Sequence, residues 1–246
     1  MRIPGSVALV TGTHRGIGRH FVTALIDQGA AKVYATARDP HGVTDLVTRY
    51  PGKVEAVPLD VTNTAQVMAA AHTCTDVTLL INNAGVNYNS GLLAASTPDA
   101  ARHEMEVNYF GLLHMCRAFA PILKANGGGA LVNLLTVVAR INLPMLGSYA
   151  ASKAAAASLT QGVRAELAAQ GTLVVGIYPS AVDTDMTKGI DLPKLHPSEV
   201  VLAALQAVEA HTEEVDIGDM AISVVHGLRT DPQTVEKQFA TYLPRS

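Results

Sequence analysis

Short, almost continuously apolar runs rich in β-branched residues recur along the chain, each separated from the next by a longer segment of helical character. Residues 7–11, 32–36, 54–59, 77–82, 130–135 and 173–178 read as strands, and residues 16–28, 64–72, 99–124 and 148–169 as helices. A strand that is apolar on both faces has to be covered on both, which is the situation of a parallel sheet flanked by helices. The regular β-α-β alternation therefore predicts an α/β fold of the doubly wound kind, a three-layer sandwich around a mostly parallel sheet.

Helix starts are marked where that pattern needs them. Asn63 precedes the 64–72 segment, Thr97-Pro98-Asp99 opens the long one, and Ser198 opens a further helix after the sixth strand. Gly127-Gly128-Gly129 punctuates the exit from the long helix. No repeat, low-complexity tract or Pro/Gly/Ser-rich linker interrupts the chain, so residues 1–246 are expected to form a single domain. Residues 179–197 differ in texture, polar and bounded by prolines, and read as a functional loop or lid.

An apolar share of 48% against 16% charged residues suits a large core and argues against disorder. The net charge of -3 comes with both signs scattered and no Lys/Arg-rich block, so nucleic acid is not an expected partner. Cys74 and Cys116 lie far apart and read as buried free thiols in a reducing compartment. The start runs straight into the first strand rather than through a long apolar leader. Asn133, Arg140 and Asn142 interrupt the most apolar region. A cytoplasmic protein without a membrane segment is expected. The nine histidines are scattered, with no close ligand pair and no H-E-x-x-H, so no metal is expected; no G-x-S-x-G elbow suggests a serine hydrolase.

Thr11-Gly12-Thr13-His14-Arg15-Gly16-Ile17-Gly18 falls where the first strand turns into the first helix. Backbone amides and the positive end of a helix dipole can hold a pyrophosphate there, and glycines permit the turn and close approach. The spacing differs from the G-x-G-x-x-G dinucleotide fingerprint, and position after a first strand is what favours a phosphate loop over an ordinary turn. About twenty residues further on, where an acidic side chain would accept from a ribose 2'-hydroxyl, the second strand ends in Ala37-Arg38-Asp39. Two guanidinium groups, Arg38 and Arg15, suit a 2'-phosphate, so NADP(H) is expected in preference to NAD(H). The alternative is a solvated Arg38 paired with Asp39.

Tyr149-Ala150-Ala151-Ser152-Lys153 puts a phenol and an ammonium on one helix face. Alone, such a pair is an ordinary surface contact. A phenol of pKa near 10 needs its ionised form stabilised to move protons at neutral pH, and a neighbouring lysine supplies that stabilisation. The pair has company: Asn82-Asn83-Ala84-Gly85 ends the fourth strand, Asn108 lies on the long helix, and the hydroxyl of Thr136 follows the fifth strand.

The T-G-x-x-x-G-x-G turn, the N-N-A-G strand end and the Y-x-x-x-K pair, in this order, make the chain resemble the short-chain dehydrogenase/reductase family over essentially its whole length. The resemblance implies a Rossmann-type sheet, expected here with seven strands, and reversible hydride transfer between a nicotinamide cofactor and a ketone or secondary alcohol. It implies Tyr149 as general acid and base, Lys153 holding the ribose and lowering the phenol pKa, Thr136 polarising the carbonyl, and Asn108 linking Lys153 to solvent. Gly12, His14, Arg15, Gly16, Ile17, Gly18, Arg38, Asp60, Val61, Asn83, Ala84, Gly85, Pro179, Val182 and Thr184 are the further cofactor positions. The chain departs from the family at Thr136, where serine is usual and the extra methyl restricts the rotamer, and at Ser180, where the family has glycine after proline. Val138, Leu143, Met145, Met186, Asn87 and Tyr88 are candidates for the substrate side, which predicts an apolar carbonyl or alcohol substrate. A homodimer or homotetramer built on the two long helices is also implied. The competing reading is a catalytically silent NADPH-binding sensor or scaffold, which the retained Tyr149, Lys153 and Asn108 disfavour.

Overall fold

A computed structural model describes residues 1–244. Among them, β1 (Val7–Val10), β2 (Lys32–Ala37), β3 (Val54–Pro58), β4 (Leu79–Asn82), β5 (Ala130–Leu134), β6 (Leu173–Pro179) and β7 (Glu214–Ile217) form one sheet in the order 3-2-1-4-5-6-7. Every ladder is parallel. The first six strands lie within two residues of the apolar runs read from sequence. The seventh, Glu214-Val215-Asp216-Ile217, has no apolar run to announce it, because an edge strand half open to solvent keeps acidic residues on one side.

The helices are α1 (Gly16–Asp27), α2 (Thr44–Arg49), α3 (Thr64–Thr73), α4 (Asp99–Met105), α5 (Leu112–Ala125), α6 (Gly147–Leu167), α7 (Pro197–Ala210), α8 (Asp219–Thr230) and α9 (Pro232–Phe239). Successive strand residues point to opposite faces. Ala8 and Val10 of β1 meet Phe21, Val22 and Leu25 of α1 and Val201 and Leu205 of α7 on one side. Leu9 packs on the other side with Met115 and Phe119 of α5 and Ala156 of α6. Each of the fully buried Val, Leu, Phe and Met side chains among them contributes about 1.5 to 3 kcal/mol relative to exposure. No described helix is long and apolar enough to cross a membrane.

Two local readings are corrected. The stretch expected as one helix over 99–124 contains a π-helical segment, Glu106–Gly111, between α4 and α5. Asn108 sits in it with its carboxamide bonded to Val86, and such a wide turn often marks a functional position. Ser198 is not the cap of α7. His196 is, its ring accepting from the Ser198 N–H while the Glu199 carboxylate accepts from the His196 N–H. Asn63 does cap α3, through the Gln66 N–H.

Candidate active site

The carboxyl ends of β1, β4, β5 and β6 open into a cavity of about 720 Å³. It lies where β1 has β2 on one side and β4 on the other, the switch point at which open α/β sheets bind ligands. At the β1 end the backbone is glycine-dependent: Gly12 has φ +71° and Gly16 φ +57°. A Cβ on Gly18 would collide with the Gly12 carbonyl oxygen. Gly18 is buried beneath the loop and does not line the cavity, so it shapes the turn rather than touching its contents. Asn83 Nδ2 donates to the carbonyls of Thr11 (2.8 Å) and Gly12 (3.0 Å), and Thr11 Oγ1 accepts from the Asn83 and Ala84 N–H groups. This lattice welds the glycine turn to the strand end that carries Asn83, Ala84 and Gly85. No side chain caps α1, leaving its first N–H groups to whatever occupies the turn.

Beside the turn, His14, Arg15, Arg38, Asp60 and Val61 line the cavity. Arg38 has no ion-pair partner among the described residues, and Asp39 instead accepts from the His41 N–H, so the surface pair weighed from sequence is not what the fold makes. Arg15 reaches Asp185 across 3.3 Å and so bridges to the 179–197 loop. Burial lowers the His14 imidazole, with Arg15 and Arg38 adding to the effect, which keeps it neutral beside two guanidinium groups. Asp60 Oδ1 accepts from the Thr62 N–H and hydroxyl.

At the β5 end, Thr136, Tyr149 and Lys153 share the cavity wall. Lys153 Nζ donates to the Leu134 carbonyl (2.9 Å) and stands 5.9 Å from the Tyr149 ring centre. Burial lowers the ammonium to about 8. Burial also pushes the Tyr149 phenol up, and the charge of Glu104 adds to it. The lowered phenol expected from the Lys153 neighbourhood is thus not a property of this state: the lysine is turned to a carbonyl and is itself desolvated, and Tyr149 stays protonated. Thr136 Oγ1 lies 3.4 Å from the Pro179 carbonyl and 3.4 Å from the Val138 N–H. Asn108 does not line the cavity; its carboxamide binds Val86 N–H, Val86 O and Ser152 Oγ, each at 2.9 Å.

Pro179, Val182 and Thr184 line the opposite rim. The loop they begin is pinned at its base by Asp183 N–H to Leu195 O and Leu195 N–H to Ala181 O, both 2.9 Å. Ser180 needs no left-handed backbone, and its N–H joins Ile217 of β7, so its departure from glycine is absorbed without strain. Val138, Leu143, Met145, Met186, Asn87 and Tyr88 all face the cavity. Sequence reading missed Met220, Phe239 and Tyr242, which also line it. They come from the C-terminal end, where no motif marks them and only packing brings them round.

Residues 6–194 match the protein-family model described as short chain dehydrogenase. A short chain dehydrogenase from Burkholderia cenocepacia J2315, solved in complex with NADP, is 46% identical, with a TM-score of 0.93 over 97% of this chain and 99% of that one. A short chain dehydrogenase/reductase from Burkholderia phymatum, solved in complex with NAD, is 25% identical, with a TM-score of 0.83 over 97% and 96% of the two chains. The 3-oxoacyl-[acyl-carrier-protein] reductase FabG of Vibrio cholerae is 30% identical over 78% of this chain and 79% of its own length.

Proposed function

The chain belongs to the short-chain dehydrogenase family, and from that premise we propose that it is an oxidoreductase that interconverts an apolar ketone and its secondary alcohol with NADP(H). The observation that carries this reading is the convergence of a protonated Tyr149, Lys153 and the Thr136 hydroxyl on one end of a cavity whose other end is the glycine turn.

The glycine turn fits a dinucleotide because Gly12 and Gly16 take positive φ, Gly18 packs without a Cβ against the Gly12 carbonyl, and the start of α1 carries uncapped N–H groups. Gly12, His14, Arg15, Gly16 and Ile17 would hold the phosphates, Asp60 and Val61 the adenine, and Asn83, Ala84, Gly85, Pro179, Val182 and Thr184 the remainder. Arg38, without a partner among the described residues, is the group that favours a 2'-phosphate. When bound, the nicotinamide supplies the hydride or takes it back.

Tyr149 delivers its phenolic proton to the carbonyl oxygen in reduction and recovers it in oxidation. Burial keeps the proton on the phenol until it is needed. Lys153 places a positive charge beside the phenolate left behind, which is the differential stabilisation that catalysis requires. Thr136 orients the carbonyl, a single preorganised donor being worth about a hundredfold to a thousandfold in rate. Leu143, Met145 and Met186 exclude water around the reacting group, and the 179–197 loop acts as the lid. A homo-oligomer on α5 and α6 belongs to the same reading, and Phe110, exposed just before α5, is the group it would cover.

Titration of the purified protein with NADPH and NADH, then NADPH oxidation against aliphatic, aromatic and charged ketones, tests the assignment, with Tyr149→Phe as control. Tight NADPH binding with turnover that the substitution abolishes is expected. Tight binding without turnover on any ketone would favour the sensor or scaffold instead.

A further inference from the structure

The family match ends at residue 194, yet part of the cavity wall comes from well beyond it. Phe239, the last residue of α9, packs against the cluster of Val138, Leu143 and Tyr149, and Tyr242 stands one turn further, its ring centre 6.1 Å from that of Phe239. Both face the cavity.

Two contacts hold this segment across the opening. The Met145 N–H, in the single turn Pro144–Leu146 that leads into α6, donates to the Tyr242 carbonyl over 2.9 Å. Pro244 lies so close over Gly91 that a Cβ there would stand 2.5 Å from Pro244 Cγ. Gly91 and Leu92 are pressed in turn on the start of α6: a Cβ on Gly147 would stand 2.8 Å from Leu92 Cγ, and the Ser148 N–H lies 3.4 Å from the Ser90 carbonyl. The C-terminal segment, the 90–92 loop and the first turn of the helix bearing Tyr149 are therefore stacked. Such a stack ties the segment that carries the two rings to the start of the helix that bears Tyr149.

We propose that residues 239–244 form a specificity-determining strap over the substrate end of the cavity, with Phe239 and Tyr242 setting the greatest length of apolar chain that a carbonyl substrate carries. This rests on the oxidoreductase reading for the identity of the reacting group, while the size limit follows from the wall itself. Phe239, Met145 and Met220 pack on one apolar cluster with Leu143, and Met186 lines the same cavity. Such a lining rewards each buried methylene until the strap is met. Tyr242 is 41% exposed, so its ring can be removed without opening the core.

The test is calorimetric titration of the NADP-loaded protein with 2-alkanones of increasing chain length, for the unaltered chain, Tyr242→Ala and Gly91→Ala. Affinity is expected to rise with length to a cut-off in the unaltered chain. Tyr242→Ala moves the cut-off to longer ketones, with a gain of about tenfold or more for those previously excluded, and leaves the Kd of NADP unchanged. Gly91→Ala unseats Pro244, shifts the cut-off the same way and speeds hydrogen exchange at the Met145 amide. An identical length profile in all three proteins overturns the strap, as does failure of every ketone to bind the unaltered chain. Ketones that bind with the expected cut-off but never oxidise NADPH would leave the strap standing and sink the oxidoreductase reading.

Discussion

The Asn108 carboxamide donates to the Ser152 hydroxyl over 2.9 Å and so ties the π-helical segment to the helix that carries Tyr149 and Lys153. The same side chain accepts from the Val86 N–H and donates to the Val86 carbonyl. One buried residue thus fixes α6 relative to the strand end at Gly85. Asn108→Ala leaves buried polar groups unpaired and is expected to lower stability by about 2 to 4 kcal/mol. On the proposed reaction it should lower kcat by more than about tenfold while changing the KM for NADPH little. Urea unfolding and steady-state kinetics on the same preparation check both.

The depressed Lys153 makes the stability of the cofactor-free protein depend on pH. Its ammonium titrates at about 8 in the folded chain against 10.5 when free, so between those values the unfolded chain holds a proton that the folded one lacks. Stability therefore rises with pH through that window, by at most about 1.4 kcal/mol per pH unit. Burial raises both Cys74 and Cys116 from 9.0 to about 12, which works the other way above pH 9, where the folded chain keeps protons that the unfolded one loses. Urea midpoints are expected to climb from pH 8 to 9 and then fall. In Lys153→Met the climb disappears and the fall remains.

Gly18→Ala tests the glycine turn. Its new methyl would have to displace the Gly12 carbonyl and the Asn83 carboxamide, which together shape the loop. Affinity for both NADPH and NADH is expected to drop by about a hundredfold or more in a binding titration. A loss confined to one of the two would show that the turn does not hold the part they share.

Arg38→Leu addresses cofactor choice. A charge-assisted contact to a 2'-phosphate is lost on NADPH alone. NADPH binding should weaken by about ten- to a hundredfold, with NADH changed less than about threefold. Equal weakening of both would remove Arg38 from phosphate recognition.

Much of this was legible along the chain. Apolar runs at strand length located six strands because central strands of a parallel sheet are buried on both faces, and burial leaves a mark on composition. The edge strand Glu214–Ile217 left no such mark. Gly12, Gly16, Asn83, Tyr149 and Lys153 were recognisable because each belongs to a short local pattern whose spacing is set by a turn or by one helical repeat.

Other features depended on partners distant in sequence. Whether Tyr149 holds its proton is decided by the burial around it and by Glu104 on another helix, neither visible in the Y-x-x-x-K pair. The π-helical turn at Asn108 coincides with a carboxamide held by Val86 and Ser152, both distant from it in sequence. Arg15 was readable as a cation near a phosphate loop, but its bridge to Asp185 crosses 170 residues of chain. Phe239 and Tyr242 became part of the cavity only when α9 folded back over the start of α6. The sequence alone located the first six strands, the glycine turn and the pair of Tyr149 and Lys153, since these follow from local periodicity and backbone geometry. The tertiary structure decided protonation, the helix distortion and the C-terminal wall of the cavity, since desolvation and packing are sums over neighbours that only the folded chain assembles.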